Sequence, residues 1–310
     1  MLTRLKRYQE ALDACNQAIQ LDNTYFIAYT QKGEVLHQLG RYSKALQTLE
    51  RAIELAPDFV VAYKHKAEVL ASLRRYNEAL ATYDQVICLD PYDFFSYWDK
   101  AILLARIGRD EDAIATYDQF IEWTPHSFYG YQWKLFFLSD RQRYADGLAS
   151  CEQCIACNPH LAQAYEWKGR MLDYLERYVE ALSSFEEAIR LDPRDEEVHI
   201  AKAGVLAELK RFEEALGACD HAIRLAPENP SAYKKKGDVL TKLERYEEAL
   251  KVFQKVVQLS PRDAFAYEQV GNSFASWNDT LMQSGHILKP SGSVRISPGY
   301  IARRPMHWKS

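Results

Sequence analysis

The chain repeats itself every 34 residues, seven times in succession, without an insertion. At that period Gly33, Ala67, Ala101, Leu135, Gly169, Ala203 and Gly237 share one column. Ala45, Ala79, Ala113, Gly147, Ala181, Ala215 and Ala249 share a second, and Pro57, Pro91, Pro125, Pro159, Pro193, Pro227 and Pro261 a third. A unit this short cannot enclose a core of its own. It must bury its apolar face against its neighbours, and a tandem array of such units is a solenoid. The core then grows with copy number, so a length of 310 residues no longer argues for two globular domains.

Units begin at Phe26, Val60, Phe94, Phe128, Ala162, Glu196 and Pro230. Their fourth, eighth and eleventh positions hold an aromatic residue or His, a small or apolar residue, and Leu, as in Tyr165, Gly169 and Leu172. At 100° per residue these lie on one helical face. A second apolar set, such as Ala181, Phe185 and Ala188, lies on one face of a second helix. A short turn such as Leu175-Glu176-Arg177-Tyr178 separates the two. Proline ends the second helix, because its ring and missing N–H cannot continue one. Each unit is predicted to be an antiparallel helix pair, and the fold all-α.

This pattern resembles the tetratricopeptide repeat. Tyr233, Gly237, Leu240, Ala249, Phe253, Val256 and Pro261 carry the signature almost completely. The resemblance spans residues 1 to about 276 and implies a right-handed α-α superhelix used as a protein-binding surface. Residues 2–25 read as the second helix of a truncated repeat, 26–263 as seven full repeats, and 264–276 as the first helix of an eighth. The fourth unit departs most, with Leu135, Gly147, Cys151 and Cys154 at signature positions; the bulk of Leu135 is expected to alter local curvature.

Residues 277–310 carry five Lys or Arg and one Asp, with Lys289-Pro290-Ser291-Gly292-Ser293 among them, and are expected to be disordered. They also read as an out-of-frame continuation of the repeat. Trp277 is encoded only by TGG and Asn278 by AAT or AAC, so reading one base earlier yields glutamate. Arginine follows, since the alternative is a stop, in the column of Arg177, Arg211 and Arg245. Met282-Gln283 forces alanine in register with Ala249, and Asp279-Thr280 permits tyrosine in register with Tyr246. A genuine divergent tail is the alternative reading.

The tail is net +4 within a chain of net −4, which leaves −8 on residues 1–276. An acidic body argues against electrostatic capture of nucleic acid, including base-by-base reading of RNA. No apolar run is long enough to cross a bilayer, and the polar N-terminus does not resemble a signal peptide. Six scattered cysteines fit a reducing compartment, so the cytoplasm is the expected location. Cys151, Cys154 and Cys157 would spread around a helix rather than close on one ion; they read as small buried hydrophobes, with a metal or redox role as the alternative. No catalytic, phosphate-binding or zinc motif occurs, and neither enzyme activity, a cofactor nor a metal is expected. The Lys32, Lys66, Lys100, Lys134, Lys168, Lys202 and Lys236 column reads as structural, with stems packed and ammonium groups reaching water. The arginine column is expected to satisfy carbonyls at first-helix C-termini.

In tetratricopeptide proteins the second, sixth, ninth and thirteenth positions of the first helix, flanked by the fifth and twelfth, line the concave groove. The resemblance implies the same here. Those columns are mixed polar in the first two units (Gln31, Glu34, His65, Glu68) and carry lysines in the last (Lys234, Lys235, Lys242). In the third to fifth they turn aromatic. The expected peptide-binding groove is Phe95, Trp98, Ile102, Tyr129, Gln132, Trp133, Phe136, Glu166, Trp167, Arg170 and Tyr174, with packing between first helices as the competing role for Trp133 and Trp167. The Lys and Asn pair with which some co-chaperones clamp a peptide carboxylate is absent at the fifth and ninth positions. The expected function is therefore a non-catalytic scaffold for a protein or peptide ligand, without membrane or nucleic-acid partners and with weak self-association through uncapped ends. The alternative is the repeat region of a larger enzyme or signalling protein.

Overall fold

A computed structural model describes residues 7–283. Among these, sixteen α-helices follow one another and there are no strands. They fall into two compact units that divide between Asp192 and Pro193. The first unit holds α1 (Tyr8–Leu21), α2 (Phe26–Gln38), α3 (Tyr42–Leu55), α4 (Val60–Ser72), α5 (Tyr76–Leu89), α6 (Phe94–Arg106), α7 (Asp110–Trp123), α8 (Phe128–Asp140), α9 (Tyr144–Cys157), α10 (Ala162–Tyr174) and α11 (Tyr178–Leu191). The second holds α12 (Glu196–Glu208), α13 (Phe212–Leu225), α14 (Pro230–Lys242), α15 (Tyr246–Leu259) and α16 (Ala264–Gln283). Consecutive helices within each unit pack together, and the signature columns form the core: Ala45, Ala79, Ala113, Ala181, Ala215 and Ala249 are fully buried.

The small residue at the eighth position is a packing requirement. A Cβ placed on Gly33, Gly169 or Gly237 would meet Leu49, Phe185 or Phe253, sixteen residues on, at 2.5, 2.7 and 2.6 Å. In the fourth repeat the sizes are exchanged. Leu135 is fully buried, and facing it is Gly147, whose missing Cβ also leaves room for the Met171 sulfur. The bulk of Leu135 is thus received by a glycine in the partner helix. The signature tyrosine hydroxyls donate to the carbonyl of the preceding repeat proline, as in Tyr63 to Pro57 and Tyr165 to Pro159, at 3.0 and 3.2 Å. Tyr131 instead lies 3.9 Å from the Cys157 sulfur, and the Asn158 amide takes over the Pro125 carbonyl at 3.3 Å.

Both charged columns are structural, one of them differently from expectation. Lysine ammonium groups reach back sixteen residues to the preceding helix, Lys100 to Asp84 and Lys236 to Asp220 at 2.6 Å. The arginine side chains do not hold helix carbonyls. Arg75, Arg177, Arg211 and Arg245 grip the carboxylate three residues on, bidentate at 2.6–2.8 Å. The backbone N–H groups do the capping: Arg75 N donates to Leu70 O and Arg74 N to Ala71 O. This is the Schellman arrangement, which needs a left-handed residue. Gly40, Arg74, Gly108, Gln142, Glu176, Lys210 and Glu244 supply it, with φ from 56° to 78°.

The repeat register ends the last helix at Ser276, but α16 runs on to Gln283, so residues 277–283 are helical rather than the start of a disordered tail. The stop signal is missing there: Asp279 stands where the other repeats carry an arginine directly after the left-handed residue. Residues 1–6, and positions 284–310 of the expected disordered or out-of-frame tail, lie outside the described residues. Among the described residues no helix is long and apolar enough to cross a membrane.

Candidate functional site

The groove columns of the first unit place an aromatic chain on α6, α8 and α10. Ring centroids run from Trp98 to Trp133 at 5.7 Å, from Trp133 to Phe136 at 5.7 Å, and from Phe136 to Trp167 edge-to-face at 4.9 Å. Such contacts add about 0.5–1.5 kcal/mol each beyond burial. Trp98, Trp133 and Trp167 are half-buried, so they brace neighbouring first helices while keeping one edge open. Phe136 and Tyr174 are 47% and 53% exposed; the Tyr174 ring stacks on Tyr144 at 4.6 Å, which holds it in place.

A cleft of about 440 Å³ opens beside this chain, lined by Gln132, Phe136, Ser139, Glu166, Trp167, Arg170 and Tyr174. Its charges are organised. The Arg170 guanidinium bonds Glu166 at 2.8 and 2.9 Å across one helical turn, which fixes it in the cleft wall beside Trp167. Six of the eleven expected groove residues therefore meet in one cleft, and Ser139 joins them. Trp98 and Trp133 connect to it through ring contacts. Phe95 does not line the cleft but joins the same aromatic chain through Phe94, 5.7 Å from its ring and 6.1 Å from Trp133, and the Lys64 ammonium lies 5.9 Å from its ring centroid. Ile102 and Tyr129 are exposed but do not line the cleft.

Next to the aromatic chain the same columns gather acid and imidazole groups on α2, α4 and α6. His65 Nδ1 meets Glu68 at 3.3 Å and its Nε2 lies 4.0 Å from Glu34, while His37 lies 3.9 Å from Glu68. Burial penalises the His65 imidazolium, but the Glu68 hydrogen bond and the carboxylate charges outweigh it and raise its pKa. His37 goes the other way, lowered chiefly by burial. Asp99 is pushed up to about 6, first by burial and then by the charge of Glu68. Lys64 does not neutralise it, because its ammonium sits 2.9 Å from Asp93. Glu34, His65 and Glu68 are legible as groove residues from sequence; Asp99 and His37 occupy the sixth and twelfth positions, so the same columns contain them. In the second unit a cleft of about 370 Å³ is lined by Lys235, Lys242, Asp238 and Glu208 among others.

Four of the six cysteines are buried, while Cys88 is exposed and Cys157 partly buried. Cys151 and Cys154 are buried; burial drives the Cys151 thiol far above its ordinary value and the Cys154 thiol to about 11. Burial thus disfavours the thiolate form at both positions.

Sequence profiles described as tetratricopeptide repeat match residues 2–68 and 175–238, 66–127 and 138–196, and 230–263. The chain belongs to the tetratricopeptide-repeat family. Among solved structures, yeast Tom70 aligns at 17% identity over 90% of this chain and 60% of its own, with a TM-score of 0.53. A thermophilic TPR protein of Thermus thermophilus aligns at 18% identity over 56% and 95%, with a TM-score of 0.48. YrrB, described as a TPR protein with an unusual peptide-binding site, aligns at 20% identity over 71% and 96%, with a TM-score of 0.41. At these identities the likeness concerns the fold. A search of curated protein sequences returns no match. The tetratricopeptide repeats make this chain a protein-interaction scaffold by class.

Proposed function

We propose that this tetratricopeptide protein is a non-catalytic scaffold that holds an extended or helical segment of a partner protein along α6, α8 and α10. The observation that carries the reading is the cleft in which Phe136 and Tyr174 stand exposed over Trp167 and the ordered Arg170–Glu166 pair. Trp, Tyr and Arg dominate interface energetics when they line a pocket that a partner can desolvate. Apolar anchors three or four residues apart on a helical ligand, or two apart on an extended one, fit such a row. The partner would also carry a basic residue toward α2, α4 and α6, where Glu34, Glu68 and Asp99 gather negative charge beside His65.

The test is selection of peptides from a random display library, followed by titration of the best against the chain and against a Phe136→Ala/Tyr174→Ala variant. Both side chains are about half exposed and neither belongs to the buried core, so helical content is expected to be unchanged. Selected peptides with paired apolar anchors, weakened at least tenfold by the double substitution, or about 1.4 kcal/mol, are the expected result. Peptides that bind both proteins equally would place the working surface elsewhere.

A further inference from the structure

We infer that the exposed face of α16 is the seat of the second helix of an eighth repeat, and that this helix is encoded one base out of frame from the codons that yield residues 278–310. Three independent observations converge on it.

The first is an unfilled packing position. In α14 the signature leucine, Leu240, is 1% exposed, whereas Phe274, its equivalent in α16, is 50% exposed, and Tyr267 is 53% exposed. The notch at Gly237 is filled by Phe253, and that at Gly169 by Phe185; among the described residues nothing meets the notch at Gly271. Among the described residues no second helix offers α16 a ring for that notch, as α15 offers Phe253 to Gly237.

The second is the missing turn. Seven earlier first helices break at a left-handed residue, Glu176 and Glu244 among them, followed by an arginine that from Arg75 onward clamps the next helix. Asn278 and Asp279 stand at those two positions, and α16 passes straight through them.

The third is the genetic code. One guanine added after codon 277 restores glutamate at 278. Downstream, several positions then have no freedom or almost none. Asn278-Asp279 yields arginine at 279, since the alternative is a stop, and Met282-Gln283 yields alanine at 283. Tyr300-Ile301 yields tyrosine or histidine at 301, and His307-Trp308 yields leucine at 308. All four fall on their columns: Arg245; Ala249; the set Tyr29, Tyr63, Tyr97, Tyr131, Tyr165, His199, Tyr233 and Tyr267, which contains only those two residue types; and Leu36, Leu70, Leu104, Leu138, Leu172, Leu206 and Leu240. His286-Ile287 yields tyrosine or histidine at 287, the column of Phe185 and Phe253, which supplies the ring that the Gly271 notch awaits. Val294-Arg295 permits proline at 295, in register with Pro261. A frame without meaning has no reason to keep a 34-residue register as far as position 308.

The coding DNA decides the genetic half. The earlier frame is expected to be open through codon 310, with tyrosine at 280 and proline at 295; a stop codon in that frame, or neither residue, overturns the inference. The structural half is tested by adding one guanine after codon 277, ending the chain after codon 297, and comparing hydrogen exchange and sedimentation with the present chain. Amides of α16 are expected to exchange at least tenfold more slowly, and concentration-dependent self-association to disappear. Exchange as fast as in the present chain overturns the seating. A synthetic peptide of the restored segment 278–293, titrated into the present chain, gives a second readout that needs no refolding: saturable binding in calorimetry with slowed exchange of α16 amides supports the seating, and no binding refutes it.

Discussion

Asp99→Asn should stabilise the protein near neutral pH, and its pH dependence can be worked out from the groove. Asp99 is a half-buried carboxylate with, among the described residues, no ion-pair or hydrogen-bond partner, and its pKa is pushed up to about 6 by burial and by Glu68. In the unfolded chain it would titrate near the ordinary aspartate value of about 3.9. Between these values the folded protein holds the proton and the unfolded chain does not. Proton binding is thus linked to folding, and stability falls as pH rises from about 4 to 6. The shift of about two units corresponds to roughly 3 kcal/mol; partial contact with solvent reduces the expected gain from removing the charge to about 1–2 kcal/mol. Asparagine has nearly the same shape and deprives no donor of its acceptor. Urea unfolding followed by circular dichroism at pH 4, 5, 6 and 7 measures the difference between the two proteins. That difference reads Asp99 together with its coupling to Glu68, while the rest of the His65 and Glu68 titration is common to both proteins. The gain is expected to be near zero at pH 4, to grow through pH 5–6, and to level off above pH 7. A gain that is independent of pH, or a loss at neutral pH, would refute the account of Asp99 as a charge held out of water without a partner.

Gly169→Ala is expected to cost about 1–2 kcal/mol in urea unfolding, because the added methyl must push Phe185 from 2.7 Å and overpacking of about 1–3 kcal/mol outweighs a helix-propensity gain of up to about 1. Gly217→Ala, with nothing within 4 Å, is expected to gain up to about 1 kcal/mol, and equal effects at the two sites would contradict the packing argument. Glu176→Gly, which relieves a side chain held at φ 58°, is expected to gain up to about 1 kcal/mol, read as a higher denaturation midpoint at an unchanged slope.

The repeat architecture was legible because period and packing share a cause. Gly33, Gly169 and Gly237 recur at 34-residue multiples since each must admit a side chain sixteen residues on. The cleft was legible for the same reason: Gln132, Phe136, Glu166, Trp167, Arg170 and Tyr174 fall on columns that face one way on successive first helices. The turn was not. Glycine marks it at Gly40 and Gly108, but Arg74, Gln142, Glu176, Lys210 and Glu244 adopt the same left-handed conformation, imposed by two packed helices rather than by local preference. The arginine column misled for a related reason, since the capping bonds come from its backbone and the guanidinium serves the following helix. Nor could columns alone disclose that Asn158 replaces the Tyr131 hydroxyl at Pro125, because that exchange spans two helices with no periodic trace.

The exchange of Leu135 and Gly147 bears on how such a gene can be rebuilt. Repeats that obey one size rule are interchangeable cassettes, and unequal crossing-over can delete or duplicate them without harm. Here the bulk sits on α8 and the gap on α9, and Met171, one repeat later, fills the rest of that gap. A crossover that separates Leu135 from Gly147 would set a leucine against an aromatic ring, or leave a glycine facing a void. One that removes the fifth repeat would take away Met171. The segment from α8 to α10 is therefore inherited as a block, a fixed seam in an array whose other units are free to be copied.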